Sequence, residues 1–240
     1  MNTLRAKTGV AQLDSMLCGG LLKESITLVS GDPGTGKSTL ATQFLMEGIR
    51  NGESGAYLSL EEEKHGFFRN MCAYGWDLKA LESHGKLYFE FFQTEELVKH
   101  ITDGYQTIDQ QLRRVNAKRL VIDSVTAYLL ACDSELSKRD ELKRLSDNIR
   151  KWKVTAVLTG ESRETDTSHG TDYMVDTIIR LYNMKGQNLQ NSRQRLMEVE
   201  KMRGSNHSQQ THKMRITSEG VTVEEELSGR IITAQRNTLM

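Results

Sequence analysis

The chain of 240 residues is long enough for one large α/β domain or two small ones. It carries 32 Lys and Arg against 32 Asp and Glu, and this zero net charge argues against a general affinity for nucleic acid or anionic membranes. No apolar run is long enough to span a bilayer, and the first residues lack an apolar signal core. The three cysteines are far apart, which argues against a disulfide framework or metal cluster. We therefore expect a cytoplasmic protein without a membrane partner.

Apolar runs rich in β-branched residues alternate with segments of helical spacing along the chain. After a strand that starts at Ser25, we predict strands at 56–60, 87–92, 119–123, 154–159 and 176–182, and antiparallel strands at 195–202, 213–217 and 221–223. Helices are predicted at 11–17, 37–50, 64–74, 78–83, 95–115 and 135–151, with a break near Gly104 left open. The alternation predicts a mainly parallel sheet covered by helices on both faces. We expect one domain over 1–227 and a flexible tail over 228–240.

The segment Gly31–Ser38 matches the P-loop pattern G-x-x-x-x-G-K-[ST], between a predicted strand and a predicted helix. Its glycines allow backbone N–H groups to surround phosphate oxygens at a helix N-terminus. Lys37 is expected to reach the β- and γ-phosphates, and Ser38 to bind Mg²⁺. An ordinary glycine turn before a helix is the alternative. The predicted ATP ligands in this region are Gly31, Gly34, Thr35, Gly36, Lys37, Ser38 and Thr39.

Acidic residues follow three other predicted strands, namely Glu61 with Glu62, Asp123 and Glu161. The carboxyl ends of parallel strands share one edge of the sheet, so we expect these acids near the P-loop. Asp123 is expected to support Mg²⁺ through water, and a helix-cap aspartate is the alternative. Glu61 is expected to orient or deprotonate the attacking water. Its neighbour Glu62 should point elsewhere, toward the metal, another subunit or a basic residue. The alternative for both glutamates is a solvated acidic run, since Glu63 continues it.

The segment Lys201–His207 is basic and lies far along the chain from the P-loop. Lys201 and Arg203 are two residues apart and project to the same face of a strand. Such a pair could contact the γ-phosphate of a neighbouring subunit, as an arginine finger does in trans. By composition alone, a solvated basic hairpin is the alternative.

From about Thr8 to Val223 the chain resembles the KaiC family of RecA-like ATPases. The resemblance rests on Thr8-Gly9, Leu13-Asp14, Gly19-Gly20-Leu21, the P-loop, Leu60-Glu61-Glu62, Tyr74-Gly75-Trp76-Asp77, Ile122-Asp123-Ser124-Val125-Thr126, Asp176-Thr177-Ile178-Ile179 and Lys201–His207. It implies a RecA fold and a homohexameric ring with ATP between subunits. It also implies slow ATP hydrolysis that couples nucleotide state to assembly or to an unidentified protein partner.

The resemblance assigns roles to residues. Glu61 and Glu62 match the catalytic glutamates of the family, and Glu62 is also a candidate metal contact. The residues that match contacts from the adjacent subunit are Lys201, Met202, Arg203, Ser205 and His207. Thr217 and Ser218 fall where the family contacts the nucleoside.

Several features depart from the family pattern. The clock protein has two such domains and this chain has one. The second domain of the clock protein phosphorylates a neighbouring Ser-Thr pair. Counted back without gaps from Asp176, these two positions become Asp172 and Tyr173 here. An aspartate cannot form a stable phosphoester, which argues against Ser/Thr autokinase activity. A one-residue gap would instead bring in Thr171 or Ser168. After the basic motif, where the family usually has an aromatic residue, this chain has His212-Lys213-Met214.

Two other classes of function stay open. One is a nucleotide-binding regulatory subunit of the archaellum-motor type, in which ATP acts as a structural switch. The other is a DNA-strand-exchange protein of the same superfamily. The zero net charge argues against the second class, because DNA binding relies on cationic contacts to phosphate.

Overall fold

The computed structural model describes residues 5–93, 96, 103–130, 134–161, 174–185 and 193–224. Its helices are α1 (Ala11–Met16), α2 (Lys37–Arg50), α3 (Lys64–Cys72), α4 (Leu78–Ser83), α5 (Gln106–Arg114), α6 (Val125–Leu130) and α7 (Glu135–Trp152). Its strands are β1 (Arg5–Ala6), β2 (Leu21–Leu22), β3 (Ile26–Gly31), β4 (Ser54–Ser59), β5 (Leu87–Phe91), β6 (Ala117–Asp123), β7 (Thr155–Gly160), β8 (Thr177–Lys185), β9 (Arg193–Met202), β10 (His212–Thr217) and β11 (Gly220–Val223).

The long strands form a nine-stranded sheet in the order β11-β10-β9-β8-β3-β7-β6-β4-β5, while β1 and β2 pair separately. From β8 to β5 all neighbours are parallel, and β9, β10 and β11 are added antiparallel. This arrangement confirms the predicted α/β fold, a mainly parallel sheet with C-terminal antiparallel strands. The P-loop strand β3 lies between β7 and β8, so it is flanked on both sides.

Alternating side chains of the central strands enter two separate apolar cores, one on each face of the sheet. In β6, Val121 joins the core that contains Phe44 and Leu45 of α2, whereas Leu120 and Ile122 join the opposite core. The opposite core is completed by α5, α6 and α7, whose buried side chains include Ile108, Leu112, Tyr128, Leu142, Leu145 and Ile149. Both faces are therefore covered, as a sheet built from crossover connections requires.

Most predicted elements agree with the structure to within two residues. The helix predicted over 95–115 does break near Gly104, the possibility left open, since Gly104 and Tyr105 have left-handed backbone (φ +69° and +65°) and α5 starts at Gln106. Residues 95 and 97–102 of that prediction lie outside the described part of the chain. In α7, Leu142, Leu145 and Ile149 are buried, whereas Leu136 in the first turn is 71% exposed.

Within the described ranges, no helix combines the length and the apolar character required to cross a membrane. The predicted tail 228–240 lies outside those ranges, and the assignment of 1–227 to a single domain stays a prediction.

A buried cation joins the N-terminal segment, α2 and the sheet. Arg119 of β6 is 3% exposed, and its guanidinium packs over the Phe44 ring at 4.5 Å from Cζ to the centroid. It donates to the backbone carbonyls of Lys7 and Phe44, both at 2.6 Å, and to Glu53 Oε2 at 2.5 Å. The buried charge is thus paired with a carboxylate and hydrogen-bonded to two carbonyls, as burial of a charge requires.

We expect Arg119→Met to lower the free energy of unfolding by about 3 kcal/mol, because it leaves a partly buried Glu53 carboxylate and two carbonyls without their donor. Urea denaturation of both proteins measures the difference. Arg113→Met is the matched control, since Arg113 pairs with Asp109 on the exposed surface of α5, and it should change the midpoint little. Equal stability of Arg119→Met and the wild type would contradict this account.

Candidate nucleotide-binding site

The P-loop connects β3 to α2 at the carboxyl edge of the parallel strands. Gly34 and Gly36 have φ of +78° and +104°, a conformation that favours glycine, and Gly36 is the N-cap of α2. Thr35 is buried, and its hydroxyl donates to the Asp32 carbonyl at 2.8 Å. Lys37 Nζ donates to the Gly31 carbonyl at 2.8 Å, which holds the ammonium group over the loop. The loop therefore presents N–H groups and a cation to one pocket.

The pocket over this loop has a volume of about 340 Å³. Its lining residues are Pro33, Gly34, Gly36, Lys37, Ser38, Thr39, Glu61, Glu161 and Ile216. The volume lies in the range of small-molecule sites. Of the acidic residues expected at this edge, Glu61 and Glu161 line the pocket, and Asp123 lies at the end of the adjoining strand β6.

The two adjacent glutamates point in different directions. Glu61 Oε1 accepts a hydrogen bond from the hydroxyl of Ser124 at the end of β6, and Glu61 lines the pocket. The Glu62 carboxylate instead accepts from Asn70 Nδ2 of α3 at 2.6 Å, while its backbone is bonded to the Ser59 hydroxyl. Within this chain, Glu61 faces the P-loop and Glu62 faces α3.

The sequence pattern did not indicate the contact between Ser124 and Glu61. The Ser124 oxygen accepts from the N–H of Ala127 at 3.2 Å in the first turn of α6, so its single proton is directed to Glu61. Ser124 is fully buried, which keeps water from competing for that proton. One oxygen of Glu61 is thereby fixed. The carboxylate keeps its second oxygen for another partner.

Asp123 is 5% exposed, and each of its carboxylate oxygens accepts a hydrogen bond from a hydroxyl group. Tyr57 Oη donates to Oδ2 at 2.5 Å, and Thr159 Oγ1 donates to Oδ1. Burial, and next the charge of Asp123, hold the pKa of Tyr57 well above its usual range, whereas the neighbouring Ser38 and Thr42 hydroxyls lower it. The Tyr57 hydroxyl therefore keeps its proton and acts as a donor to Asp123.

The Asp123 carboxylate and the Ser38 hydroxyl fit a hard cation such as Mg²⁺, because both offer oxygen ligands. Both side chains neighbour the Tyr57 hydroxyl. Among the described residues, no group of three or more His, Cys, Asp or Glu could hold a metal ion. In P-loop proteins the phosphates and water supply the remaining ligands.

Ile216 of β10 lies over the P-loop, and this contact was missed from the sequence. A Cβ atom built on Gly36 would lie 2.8 Å from Ile216 Cδ1. Because β10 is parallel to β3, it ends at the same edge of the sheet as the P-loop. The two residues after Ile216 are the predicted nucleoside contacts, Thr217 and Ser218. The Thr217 hydroxyl donates to the Gly220 carbonyl at 3.2 Å within the β10–β11 turn.

The segment Lys201–His207 lies at the other end of the strands from the P-loop, where β3 and β8 begin. Met202 pairs with Thr177 of β8, and Thr177 pairs with Thr27 at the start of β3. The P-loop begins four residues after Thr27, a separation of about 13 Å along the strand. One copy of the chain therefore does not bring this segment to its own P-loop.

Local contacts hold the side chains of this segment. Lys201 Nζ donates to the Val175 carbonyl at 2.8 Å. Arg203 Nη1 lies 3.9 Å from Asp176 Oδ1, and the backbone N–H of Arg203 donates to the Asp176 carbonyl at 2.8 Å. The Ser205 hydroxyl accepts from Arg5 at 2.7 Å. Met202 is buried, and His207 Nε2 lies 3.1 Å from Gln209 Nε2. The alternative phosphoacceptors Ser168, Thr171, Asp172 and Tyr173 lie outside the described residues.

Comparisons with known proteins agree with this architecture. A family model described as "ATPase: KaiC" matches residues 6–228. A UPF0273 protein of Thermotoga maritima is 32% identical over 236 residues, which cover 91% of this chain and 95% of that protein. The crystal structure of a KaiC-like protein from Pyrococcus horikoshii superposes with a TM-score of 0.83 at 29% identity, covering 92% of this chain and 99% of that chain.

The circadian clock oscillator protein KaiC of Parathermosynechococcus lividus is 31% identical over 231 residues, which cover 91% of this chain and 42% of that protein. The match thus takes in less than half of the clock protein, in accordance with the single copy of the P-loop motif here. The family match, these relatives and the P-loop geometry agree, and the chain belongs to the KaiC family of RecA-fold P-loop ATPases.

Proposed function

We propose that this protein binds ATP with Mg²⁺ and hydrolyses it slowly at the subunit interfaces of a homo-oligomeric, hexameric ring in the cytoplasm. The observation that carries the proposal is the distance between two groups of residues that are both predicted to contact ATP. The P-loop and Glu61 lie at one edge of the sheet, and Lys201 and Arg203 lie at the other. The ring size of six comes from the resemblance to the KaiC family.

A ring requires a head-to-tail interface between two different surfaces of the same subunit. Placing the Lys201–His207 edge of one subunit against the P-loop edge of the next would complete each site. Lys201 and Arg203 would then stabilise the negative charge that develops on the γ-phosphate, as an arginine finger does. Ser205, His207 and the backbone of buried Met202 would contribute further contacts from the same neighbour.

Within one subunit, the P-loop and Lys37 would hold the phosphates. Ile216 of β10 lines the pocket, and Thr217 and Ser218, which follow it in the chain, would contact the nucleoside. Ser38 and Asp123 would hold Mg²⁺, which when bound offsets the negative charge of the β- and γ-phosphates. Glu62 is placed to support α3 through Asn70, and its predicted metal contact would require a different rotamer.

Glu61 is the group for activating water. Its Oε1 is held by Ser124, so Oε2 can accept a proton from a water molecule over the P-loop. The water oxygen attacks the γ-phosphorus, the bond to the β-phosphate oxygen breaks, and ADP and phosphate leave. Nucleotide state at each interface would then be passed to ring assembly or to a protein partner.

A P-loop glycine tests nucleotide binding. Gly36→Ala should weaken ATP binding about tenfold or more, because an L-residue at φ +104° is strained and would redirect the N–H groups of the loop. Titration with a fluorescent ATP analogue measures this. Gly52→Ala is the matched control, with φ +82° and no atom within 4 Å of the added Cβ, and it should bind as the wild type does. Equal weakening by both would contradict the site assignment.

Single substitutions separate the two glutamates. Glu61→Gln should reduce ATP turnover about 10²- to 10⁴-fold while ATP affinity changes little, because only proton acceptance is lost. Glu62→Gln should retain most turnover, since a Gln oxygen can still accept from Asn70. Steady-state phosphate release measures both. Wild-type turnover in Glu61→Gln would exclude it as the base, and the absence of turnover in the wild type would favour ATP as a structural switch.

Mixed rings test action in trans. Arg203→Ala and Glu61→Gln should each be nearly inactive alone, whereas their mixture should recover activity at interfaces that join an intact Glu61 to an intact Arg203. The mixing ratio is varied while native mass measurement follows ring size. Intact mixed rings that stay inactive at every ratio would show that Arg203 does not act on the neighbouring site.

A further inference from the structure

The environment of Asp123 is unusual for a buried carboxylate. Its hydrogen-bond partners are two neutral hydroxyls, Tyr57 on Oδ2 and Thr159 on Oδ1. Buried carboxylates are normally paired with a cation or coordinate a metal, because neutral donors leave the charge uncompensated. Two donors also occupy one lone-pair direction on each oxygen, and this fixes the plane of the carboxylate. The remaining lone pairs are therefore presented in one orientation.

Packing fixes the position of the Tyr57 hydroxyl. Tyr57 is 1% exposed on β4, and its ring centroid lies 4.5 Å from that of Phe67 and 5.5 Å from that of Phe89. The strand register places Ser59 of β4 opposite Asp123, so the tyrosine approaches the carboxylate from the neighbouring strand. A ring held on both sides cannot move its hydroxyl away without disturbing the core.

The same hydroxyl adjoins the P-loop. The Ser38 and Thr42 hydroxyls neighbour the Tyr57 oxygen. Thr42 donates its proton to the Ser38 backbone carbonyl at 2.8 Å, which holds the Thr42 side chain against the first turn of α2. The Ser38 oxygen has lone pairs that can bind a cation. Tyr57 thus lies beside both candidate metal contacts.

We propose that Tyr57, together with Thr159, is a positioning residue for a divalent cation, because the two hydroxyls hold the Asp123 carboxylate in one orientation. This inference rests on the proposed function, in which Ser38 and Asp123 hold Mg²⁺. Loss of the Tyr57 hydroxyl frees one carboxylate oxygen. It leaves every atom of the P-loop and of the nucleotide contacts in place.

The experiment measures cation binding directly. Mn²⁺ replaces Mg²⁺, and electron paramagnetic resonance follows free Mn²⁺ in the presence of ADP. Tyr57→Phe should bind Mn²⁺ about 10- to 100-fold more weakly, the range found when groups supporting a metal ligand are removed. ADP affinity measured in EDTA should equal that of the wild type, because the P-loop is unchanged.

Tyr88→Phe is the matched control, since Tyr88 on the adjacent strand β5 also donates to a carboxylate, Glu90 Oε2, at 2.7 Å. It should bind Mn²⁺ as the wild type does. Wild-type Mn²⁺ affinity in Tyr57→Phe would overturn the proposal, as would equal weakening by Tyr88→Phe. If Tyr57→Phe does not fold, Thr159→Val removes the donor to Oδ1, and unchanged Mn²⁺ affinity in that variant would overturn it.

Failure of the proposed function gives a different result. If wild-type protein with ADP binds no Mn²⁺, or Asp123→Asn binds it normally, the metal site itself is wrong. Weak binding in Asp123→Asn with wild-type binding in Tyr57→Phe would keep the metal site and reject only the positioning role.

Discussion

The parallel pairing of β3 with both β7 and β8 is the constraint on which the rest of the molecule depends. Hydrogen-bonded register places Ser30 opposite Gly160 and Ser59 opposite Asp123, so the loops after these strands begin at the same edge as the P-loop. Glu61, Asp123 and Glu161 lie within two residues of those strand ends. A slip of one residue in β6 would turn the Asp123 side chain to the opposite face of the sheet and remove it from Tyr57.

The change of direction between β8 and β9 carries the following segment of the chain away from the P-loop edge of the sheet. Because β9 runs antiparallel to β8, its last residue, Met202, lies at the end of the sheet where β8 and β3 start. Asp176 and Arg5 then hold the segment that follows. The sheet itself keeps the two halves of the proposed site apart. This separation is the physical reason why a second copy of the chain, rather than a loop movement, is proposed to complete the site.

Strand β6 carries two buried charged residues, Arg119 and Asp123, which are held by hydrogen bonds. Asp123 is surrounded by hydroxyls, while Arg119 on the same strand is enclosed by Glu53 and two carbonyls. The strand β6 therefore carries a hydrogen-bonded cation near its start and a hydroxyl-bonded carboxylate at its end. Apolar residues between them cover both faces of the sheet. Hydrogen bonds lower the cost of burying Arg119, whereas the neutral donors around Asp123 leave its negative charge uncompensated.

The sequence by itself determined the elements and one half of the site, because the P-loop pattern, the alternation of strands and helices and the acids at strand ends are local signals. It also indicated that Glu61 and Glu62 point apart, since neighbours in extended backbone do so. Only the tertiary structure decided that Glu61 contacts Ser124, that Tyr57 reaches Asp123 and that Ile216 covers Gly36. These contacts join residues far apart in the chain, and strand order and register, which no local pattern encodes, bring them together.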